Sequence, residues 1–321
     1  MFSNPHLWPI LACVAVGFVI VAGAWSLLLR AWATSKRRWT WAAGAGLLTA
    51  FYLVNVDAWL IEPESLVVHR IEIVSANWHG APLTIAAIGD THVGGPHMDA
   101  ARVGRVVARI NALRPDLVVL LGDYVYGAPS EAQRTPAEQR EIIGGIATFA
   151  ALDSRYGVVA ALGNHDAWYG HEAIMTALQN AGVAALWNRN IVIHRSGGTV
   201  VIAGLSDKWT GSPSFADALD GAPAGADTIV IEHNPDVFAS MPPGPALMLA
   251  GHTHCGQVTL PFFGRAQVPI RHKEYACGRI DNARGQTLFV TAGVGTSILP
   301  LRFGNPPEIA LITIRAASPA R

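Results

Sequence analysis

Charged residues are scarce in this sequence. Only 14% of the 321 residues are charged and 51% are hydrophobic, whereas a soluble globular chain carries about 25% charged residues. This composition excludes an intrinsically disordered protein and predicts membrane segments. Positive charge is not in excess, since Lys+Arg and Asp+Glu both total 23, so we expect no nucleic-acid partner. The three cysteines are too few for a disulfide-rich scaffold.

Two long apolar runs occupy the N-terminal part of the chain. Leu7–Leu29 carries no charge, and Trp39–Leu60 is interrupted only by Asn55 and Asp57. About 20 apolar residues cross a bilayer core as a helix. One alternative is a signal peptide followed by a core helix, because Ala22-Gly23-Ala24 resembles a cleavage site. No Lys or Arg precedes the first run, however, and a signal peptide begins with basic residues. We therefore predict a transmembrane helical hairpin.

The charges around the two runs predict their orientation. The loop between the runs is basic, with Arg30, Lys36, Arg37 and Arg38. The positive-inside rule places this short loop in the cytoplasm and the rest of the chain outside it. We divide the chain into the hairpin, residues 1–62, and a single domain, residues 63–321.

Short apolar runs that alternate with helical periodicity predict an α/β fold for this domain. The predicted strands are Leu83–Ile88, Leu117–Leu121, Val158–Leu162, Val200–Leu205, Thr228–Ile231, Ala246–Ala250, Leu288–Thr291 and Ile309–Ile314. Helices are predicted over Asp99–Leu113 and Pro136–Leu152. Thr135 and Glu138 form a capping-box pattern at the start of the second helix.

Five of the predicted strands are followed directly by His, Asp or Asn. These motifs are Gly89-Asp90-Thr91-His92, Gly122-Asp123-Tyr124, Gly163-Asn164-His165-Asp166, Glu232-His233-Asn234 and Gly251-His252-Thr253-His254. In open α/β sheets, ligands bind beyond the carboxyl ends of the strands. Each motif alone is typical of a turn or a helix cap, but five of them at strand ends point to one shared site.

The residue types in these motifs suit metal ions. Carboxylate, imidazole and amide oxygen are ligands for Mn, Fe or Zn. A structural zinc is not expected, because the sequence has no cluster of thiolates. Several such ligands together suit two ions about 3.5–4 Å apart, with one carboxylate bridging them.

With these motifs the chain resembles the calcineurin-like metallophosphoesterase superfamily over residues 83–314. It is similar to the membrane-anchored bacterial branch, which carries Gly-His-Thr-His-x-Gly-Gln, here Gly251–Gln257, and a tail like Leu301–Ile309. Cys255 stands where this branch often has Gly. It could tune the site or fill space, and it could pair with Cys277 in an oxidising periplasm.

The resemblance implies a fold and a location. The fold would be a metallophosphoesterase-type sandwich of two sheets flanked by helices, preceded by the transmembrane hairpin. The location would be the bacterial inner membrane, with several passes. The side of the catalytic domain does not follow from the resemblance: the basic loop of Arg30, Lys36, Arg37 and Arg38 predicts that it lies outside the cytoplasm.

The resemblance also implies a ligand set. Asp90, His92, Asp123 and His254 would hold one divalent ion. Asp123, Asn164, His233 and His252 would hold the other. Asp123 would bridge the two ions. His165 would be catalytic, as the residue placed to protonate the leaving oxygen.

The implied reaction is hydrolysis of a phosphodiester, a phosphomonoester or a pyrophosphate by metal-activated hydroxide. A membrane anchor suits a lipid-linked phosphate ester. The alternative is a non-catalytic membrane protein that binds metal or a phosphorylated ligand for signalling. The complete ligand set together with His165 favours the enzyme.

The sequence allows two interpretations for each of two further residues, Asp166 and Arg302. Asp166 could orient His165, or it could cap the turn that follows. Arg302 could bind a phosphate of the substrate, or it could stabilise the fold by pairing with Glu308.

Overall fold

Two N-terminal apolar helices form a hairpin. The computed structural model describes residues 7–32, 36–265 and 267–317. Helix α1 is Trp8–Ala31 and α2 is Arg38–Val56, which continues through a π-turn, Asp57–Ile61, and a 3₁₀ turn, Glu62–Glu64. Both helices are long and apolar enough to cross a membrane, and only 11% of the apolar window of each is buried. This exposure disagrees with the alternative in which the second run is a core helix.

The two helices are joined by specific contacts. Trp25 Nε1 donates a hydrogen bond to Thr49 Oγ1 at 2.9 Å, and the Tyr52 hydroxyl donates to the Val14 carbonyl at 3.2 Å. A Cβ atom at Gly17 would lie 2.9 Å from the Tyr52 ring. Glycine therefore allows this ring to approach the backbone of α1, as small residues do where membrane helices pack.

The domain contains two six-stranded sheets. The first sheet consists of β1 Val67–Ser75, β2 Leu83–Ile88, β3 Leu117–Leu121, β4 Val158–Ala161, β5 Ala184–Ala185 and β14 Glu308–Ala316. The second consists of β6 Arg189–Arg195, β7 Gly198–Gly204, β8 Asp227–Ile231, β9 Leu247–Ala250, β12 Gly278–Asp281 and β13 Thr287–Val290. A separate small hairpin pairs β10 Thr259–Leu260 with β11 Gly264–Arg265.

The order of the strands differs from their order along the chain. The first sheet runs β1-β14-β2-β3-β4-β5 and the second runs β12-β13-β9-β8-β7-β6. Strands β2, β3 and β4 are mutually parallel, as are β8 and β9. Their carboxyl ends therefore lie at one edge of each sheet. All eight predicted strands are present, with ends within two residues of the prediction.

Four helices complete the described domain: α3 Ala100–Leu113, α4 Pro136–Ala147, α5 Asn164–Asn180 and α6 Phe215–Leu219. The Asp99 side chain caps α3 by accepting from the Arg102 N–H at 2.8 Å. Thr135 and Glu138 form the predicted capping box of α4. The second predicted helix is shorter than expected, because the chain continues beyond Ala147 as a 3₁₀ turn, Thr148–Ala151.

Apolar side chains from both sheets meet in a dry interior. Ile85, Val119, Ile202 and Leu249 are all fully buried within this cluster. The outer face of the first sheet packs against α3, α4 and α5, and that of the second packs against α6. The layers are helix, sheet, sheet, helix, so the predicted sandwich of two sheets flanked by helices is confirmed.

Candidate metal centre

The five polar motifs meet beyond the carboxyl ends of β2, β3, β4, β8 and β9. Backbone hydrogen bonds tie their loops together. The Asp90 N–H donates to the Gly122 carbonyl at 2.8 Å and the His92 N–H to the Asp123 carbonyl at 3.0 Å. The His252 N–H donates to Oδ1 of Asp90 at 3.0 Å, which joins a loop of the second sheet to a loop of the first. The loops from the two sheets are therefore connected, and the side chains they carry are fixed relative to one another.

One group of side chains consists of Asp90, His92 and His254. Nε2 of His92 lies 3.1 Å from Nε2 of His254, which in turn lies 3.4 Å from Oδ1 of Asp90. All three residues are buried.

A second group consists of Asp123, His233 and His252. Nε2 of His233 lies 3.0 Å from Oδ2 of Asp123 and 3.2 Å from Nδ1 of His252. The same Asp123 oxygen lies 3.9 Å from Nε2 of His92. Asp123 therefore stands between the two groups.

Backbone carbonyls fix which ring nitrogen of three histidines faces the centre. Nδ1 of His92 contacts the Val125 carbonyl at 3.1 Å, and Nδ1 of His233 contacts the Leu121 carbonyl at 2.7 Å. In His252 it is Nε2 that contacts a carbonyl, that of Pro269, at 3.2 Å. A carbonyl only accepts, so these nitrogens carry a proton and the other nitrogen of each ring faces the centre, where a bound cation would take its lone pair.

Burial dominates the electrostatics of the centre. It lowers the pKa of His92 and of His252 to about 3, which keeps both rings neutral at physiological pH. Burial, with Asp123 adding to it, raises the pKa of Asp90 to about 7. Burial by itself would also raise the pKa of Asp123, but the nearby His233 and His165 hold it well below its usual range.

These residues fit a pair of divalent ions. Oδ2 of Asp90 and Oδ1 of Asn164 are buried and have no hydrogen-bond partner among the residues that the structure describes. Leaving such atoms unpaired costs free energy, and a bound cation would satisfy them. Imidazole nitrogens and carboxylate oxygens converge here, and the buried Asn164 directly precedes His165, whose N–H donates to Oδ1 of Asp123 at 2.9 Å. Such donors are typical of Mn, Fe or Zn sites.

Glycines keep space open around the two carboxylates. A Cβ atom at Gly163 would lie 2.2 Å from Oδ1 of Asp123, and one at Gly251 would lie 2.6 Å from Oδ2 of Asp90. These positions exclude any side chain unless the carboxylates move.

The backbone of the centre is strained. Five of the expected ligands have left-handed φ angles: Asp90 at 55°, His92 at 47°, Asp123 at 55°, His252 at 69° and His254 at 49°. Non-glycine residues rarely adopt this region, and such residues cluster at functional sites. The surrounding hydrogen bonds must therefore hold these loops in place.

His165 lies at the rim of the centre, 14% exposed, with Nε2 3.9 Å from Oδ2 of Asp123. Its Nδ1 contacts the Gly127 carbonyl at 2.8 Å, so that carbonyl orients the ring. The Asp166 carboxylate instead accepts from the backbone N–H groups of Asp123 at 2.8 Å and Tyr124 at 2.7 Å. The geometry matches neither interpretation of Asp166: its carboxylate holds the loop that carries Asp123, and it also accepts from the Gly163 N–H at 2.8 Å, at the start of α5.

Arg302 is fully buried beneath the centre. Its guanidinium donates to the carbonyls of Ala292 at 2.7 Å, Gly295 at 2.6 Å and Asn305 at 2.9 Å. The Glu308 carboxylate accepts from the Ala292 N–H at 2.8 Å. With its donors used by carbonyls, Arg302 is better suited to holding these loops than to either expected role, a contact with substrate phosphate or a pairing with Glu308.

Sequence reasoning missed a buried acidic pair beside His233. Glu232 accepts from the Lys208 N–H at 2.9 Å, and Asp207 accepts from the Thr210 N–H at 2.8 Å. These carboxylates shape the loop that presents Trp209 edge-on to the His252 ring, with ring centroids 4.4 Å apart. The position of Glu232 directly before His233 was the available signal.

Cys255 and Cys277 form a disulfide, with Cα atoms 4.7 Å apart. Cys255 directly follows His254, so the bond anchors the end of the last motif. The pairing that the sequence allowed is therefore present in the structure.

The calcineurin-like phosphoesterase family model matches residues 83–256, which include the five polar motifs that follow the strands. The chain belongs to the calcineurin-like phosphoesterase family. This family uses pairs of divalent metals, which agrees with the donor set described here. Hydrolysis of phosphate esters is accordingly the class of chemistry indicated for this calcineurin-like phosphoesterase.

Three relatives illustrate how similar the sequence of this chain is to those of known proteins. The metallophosphoesterase YkuE of Bacillus subtilis is 30% identical over 66% of this chain and 72% of its own length. The phosphodiesterase YaeI of Escherichia coli is 29% identical over 87% of this chain and 99% of its own length. A transmembrane protein with a metallophosphoesterase domain from Danio rerio is 26% identical over 73% of this chain, which spans about half of that protein (54%).

Among solved structures, a dimetal phosphatase from Danio rerio matches with a TM-score of 0.43 and 13% identity, over 66% of this chain and 88% of that chain.

Proposed function

We propose that this protein is a membrane-anchored phosphoesterase that works with two divalent ions. Asp90, His92, Asp123 and His254 would hold the first ion, and Asp123, Asn164, His233 and His252 the second. The observation that carries the proposal is the position of Asp123 Oδ2, 3.0 Å from Nε2 of His233 in one group and 3.9 Å from Nε2 of His92 in the other.

The bound ions would supply charge neutralisation at the phosphoryl oxygens and a water of lowered pKa. The protein's own part is to hold and to move protons. The Gly127 carbonyl accepts from Nδ1 of His165 and thereby aims Nε2 at the open side of the centre. From Nε2, His165 would protonate the leaving oxygen as the phosphorus–oxygen bond breaks, which is worth about 10²–10⁴-fold.

The surroundings of His165 indicate where the leaving group would lie. The Trp168 ring lies 4.8 Å from the His165 ring, centroid to centroid. Together with His171, Trp187 and Thr210, Trp168 lines a cavity of about 340 Å³. A leaving group in this cavity would be next to the proton donor.

The proposed anchor comprises residues 1–62, and the proposed catalytic domain residues 63–321, outside the cytoplasm of a bacterial inner membrane. The basic loop with Lys36, Arg37 and Arg38 supports this orientation. The disulfide supports it independently, because disulfides persist in oxidising compartments. The transmembrane relative supports an anchor of some kind.

Hydrolysis of bis(p-nitrophenyl) phosphate by the metal-loaded full chain in detergent tests the proposal. We expect turnover with Mn²⁺, no turnover after chelation, and none in a variant Asp123→Ala. Full metal occupancy without turnover of diesters, monoesters or pyrophosphates would instead support the non-catalytic, ligand-binding alternative. Undiminished turnover after complete metal removal would contradict both.

A further inference from the structure

Large exposed apolar side chains lie on two segments, one of which lines the cavity at the metal centre. We call Leu260, Phe262, Phe263, Ile298 and Leu299 the apolar rim. Phe262 is fully exposed, Phe263 is 87% exposed and Ile298 is 88% exposed. Bulky apolar groups concentrated at one place on a surface indicate a binding site for another apolar surface.

Backbone and side-chain hydrogen bonds hold the segments of the apolar rim in place. The hairpin β10–β11 carries its first part, and the Thr259 N–H donates to the Phe303 carbonyl at 2.7 Å, which joins the hairpin to the second part. Gln257 adds two bonds: its Nε2 donates to the Leu299 carbonyl at 2.7 Å, and its Oε1 accepts from the Ser297 N–H at 2.8 Å.

Two residues of the apolar rim have unfavourable backbone conformations. Phe262 has a φ of 68° and Ile298 a φ of 61°, a left-handed conformation that is unfavourable for such bulky side chains. The disulfide between Cys255 and Cys277 closes the loop that contains Phe262. The fold therefore presents these side chains to the outside and keeps them there.

The rim adjoins the metal centre directly. Ile298 and Leu299 line the same cavity of about 240 Å³ as His252 and His254. A substrate that reaches the ions through this cavity would pass along the rim.

The rim also adjoins the membrane helices. Pro300 follows Leu299 and lines a groove of about 670 Å³ between α1 and α2, together with Val14 and Phe51. The Arg302 N–H donates to the Ala58 carbonyl at the end of α2 at 2.9 Å. The segment that carries Ile298 and Leu299 thus passes against the end of the hairpin where the helices leave the bilayer.

We propose that the apolar rim inserts into the lipid surface from which α1 and α2 emerge, so that the metal centre opens onto the bilayer and takes phosphate esters of membrane amphiphiles. The continuity of the rim with the membrane-spanning pair identifies the lipid bilayer as its partner. The insertion rests on the proposed membrane anchor, and the substrate class rests in addition on the proposed phosphoesterase activity.

Site-specific fluorescence tests the insertion without reference to activity. The full chain with Cys13→Ser and Phe262→Cys is labelled with an environment-sensitive dye, under non-reducing conditions, and placed in phosphatidylcholine–phosphatidylglycerol nanodiscs. The matched control carries Val74→Cys, an exposed apolar position at the far end of β1. We expect nitroxide-labelled lipid to quench the dye at 262 at least about twofold more than the dye at 74. Equal quenching at both sites would overturn the insertion.

The substrate class is tested by comparing two p-nitrophenyl diesters in the same nanodiscs. One is a phosphatidic acid p-nitrophenyl ester within the bilayer, and the other is soluble bis(p-nitrophenyl) phosphate. We expect the double variant Phe262→Ser, Phe263→Ser to lower the ratio of lipid to soluble turnover about tenfold, since it loses much of the burial of two aromatic rings. Val74→Ser should leave the ratio unchanged.

The outcomes separate the two proposals. Insertion with an unchanged ratio would overturn the lipid substrate class. Insertion without turnover of either diester would overturn the phosphoesterase function and leave the membrane contact of the rim in place. Shielding of residue 262 from water without quenching by lipid would show a protein partner and overturn the bilayer as occupant.

Discussion

Both carboxylate oxygens of Asp123 make contacts within the centre. Its Oδ2 approaches His233 at 3.0 Å, while its Oδ1 accepts from the His165 backbone N–H at 2.9 Å. We predict that Asp123→Ala loses both metal ions, because one carboxylate serves both proposed positions. Metal analysis of the purified protein measures this, with the exposed Asp220→Ala as control. Near-full occupancy in the Asp123 variant would contradict the bridging role.

His165 is expected to donate a proton to the leaving group and not to bind metal. We predict that His165→Ala retains both ions and slows turnover by about 10²–10⁴-fold, since the variant lacks the proton donor. The loss should be larger for an alkyl leaving group than for p-nitrophenolate, which leaves without a proton. The comparison of the two leaving groups is the measurement. Equal losses, or loss of metal, would remove His165 from the proposed role.

Gly163 offers a test of the space around Asp123. A methyl group there would lie 2.2 Å from Oδ1 of Asp123, so we predict that Gly163→Ala displaces the carboxylate and weakens metal binding at least tenfold. The control is Gly144→Ala in α4, where nothing lies within 4 Å of the added group. That change should raise stability by up to about 1 kcal/mol. Isothermal titration with Mn²⁺ and thermal unfolding measure the two effects.

At the residue scale, the sequence predicted which side chains would lie together, because each followed a strand. It could not predict the ring nitrogens that face the centre, because the carbonyls of Leu121, Val125 and Pro269 that fix them come from separate loops. Nor could it predict the burial of Arg302, since a lone arginine in a loop carries no pattern.

At the scale of elements, the turn that follows α2 is fixed to the domain by a partly buried ion pair. Glu64 pairs with Arg102 on α3 and contacts Nδ1 of His97 at 3.3 Å. Glu62 accepts from the backbone N–H groups of Gly304 at 2.8 Å and Asn305 at 2.6 Å. The proposed boundary after residue 62 therefore falls within a region of contact, and the anchor and the domain meet through polar groups.

This ion pair predicts a dependence of stability on pH. Burial by itself would raise the pKa of Glu64, but His97 and Arg102 lower it below its ordinary value of 4.5. A carboxylate with a lowered pKa stabilises the fold fully above about pH 4.5 and loses that contribution as the pH falls through the folded pKa. We predict that Glu64→Gln is less stable than the wild type by about 1–3 kcal/mol at pH 7, and that the difference narrows below about pH 4.5. Thermal unfolding in detergent measures it.

The exposed Glu172→Gln serves as control for the same pH series. It should follow the wild type throughout, because Glu172 lies on the solvent side of α5. A gap between Glu64→Gln and the wild type that stays constant down to pH 3 would show that packing, and not charge, fixes the end of α2.

The strands were the most predictable elements, since buried runs such as Leu117–Leu121 are bounded by turn residues. Among the elements that were not predicted, three illustrate the physical reasons. Strand β1 and strand β6 are partly exposed and mix charged with apolar residues. Helix α5 begins within the motif of Asn164 and contains a non-helical Gly170. The order of the strands within each sheet could not be predicted from the sequence either, because it depends on pairing between distant segments.

At the scale of the whole molecule, orientation is the proposal with the widest consequences. We predict that alkaline phosphatase fused after Arg321 is active and that a fluorescent reporter restricted to the cytoplasm is dark there. The basic loop with Lys36, Arg37 and Arg38 is the cause. Replacing those three residues with Gln should lower the fraction of molecules whose domain lies outside the cytoplasm. Fluorescence of the cytoplasmic reporter on the unaltered chain would overturn the external domain.

Strand β14 has a consequence for the order of events during synthesis. It lies between β1 and β2, pairing with β1 in parallel and with β2 in antiparallel fashion. The first sheet therefore stays open until Glu308–Ala316 has left the ribosome and, in the proposed orientation, crossed the membrane. The loops after β2 and β3 lack their full support until then. A chain whose β14 is still in the ribosome or in the export channel would accordingly have no assembled centre, so hydrolysis would begin only on the side where the finished domain resides.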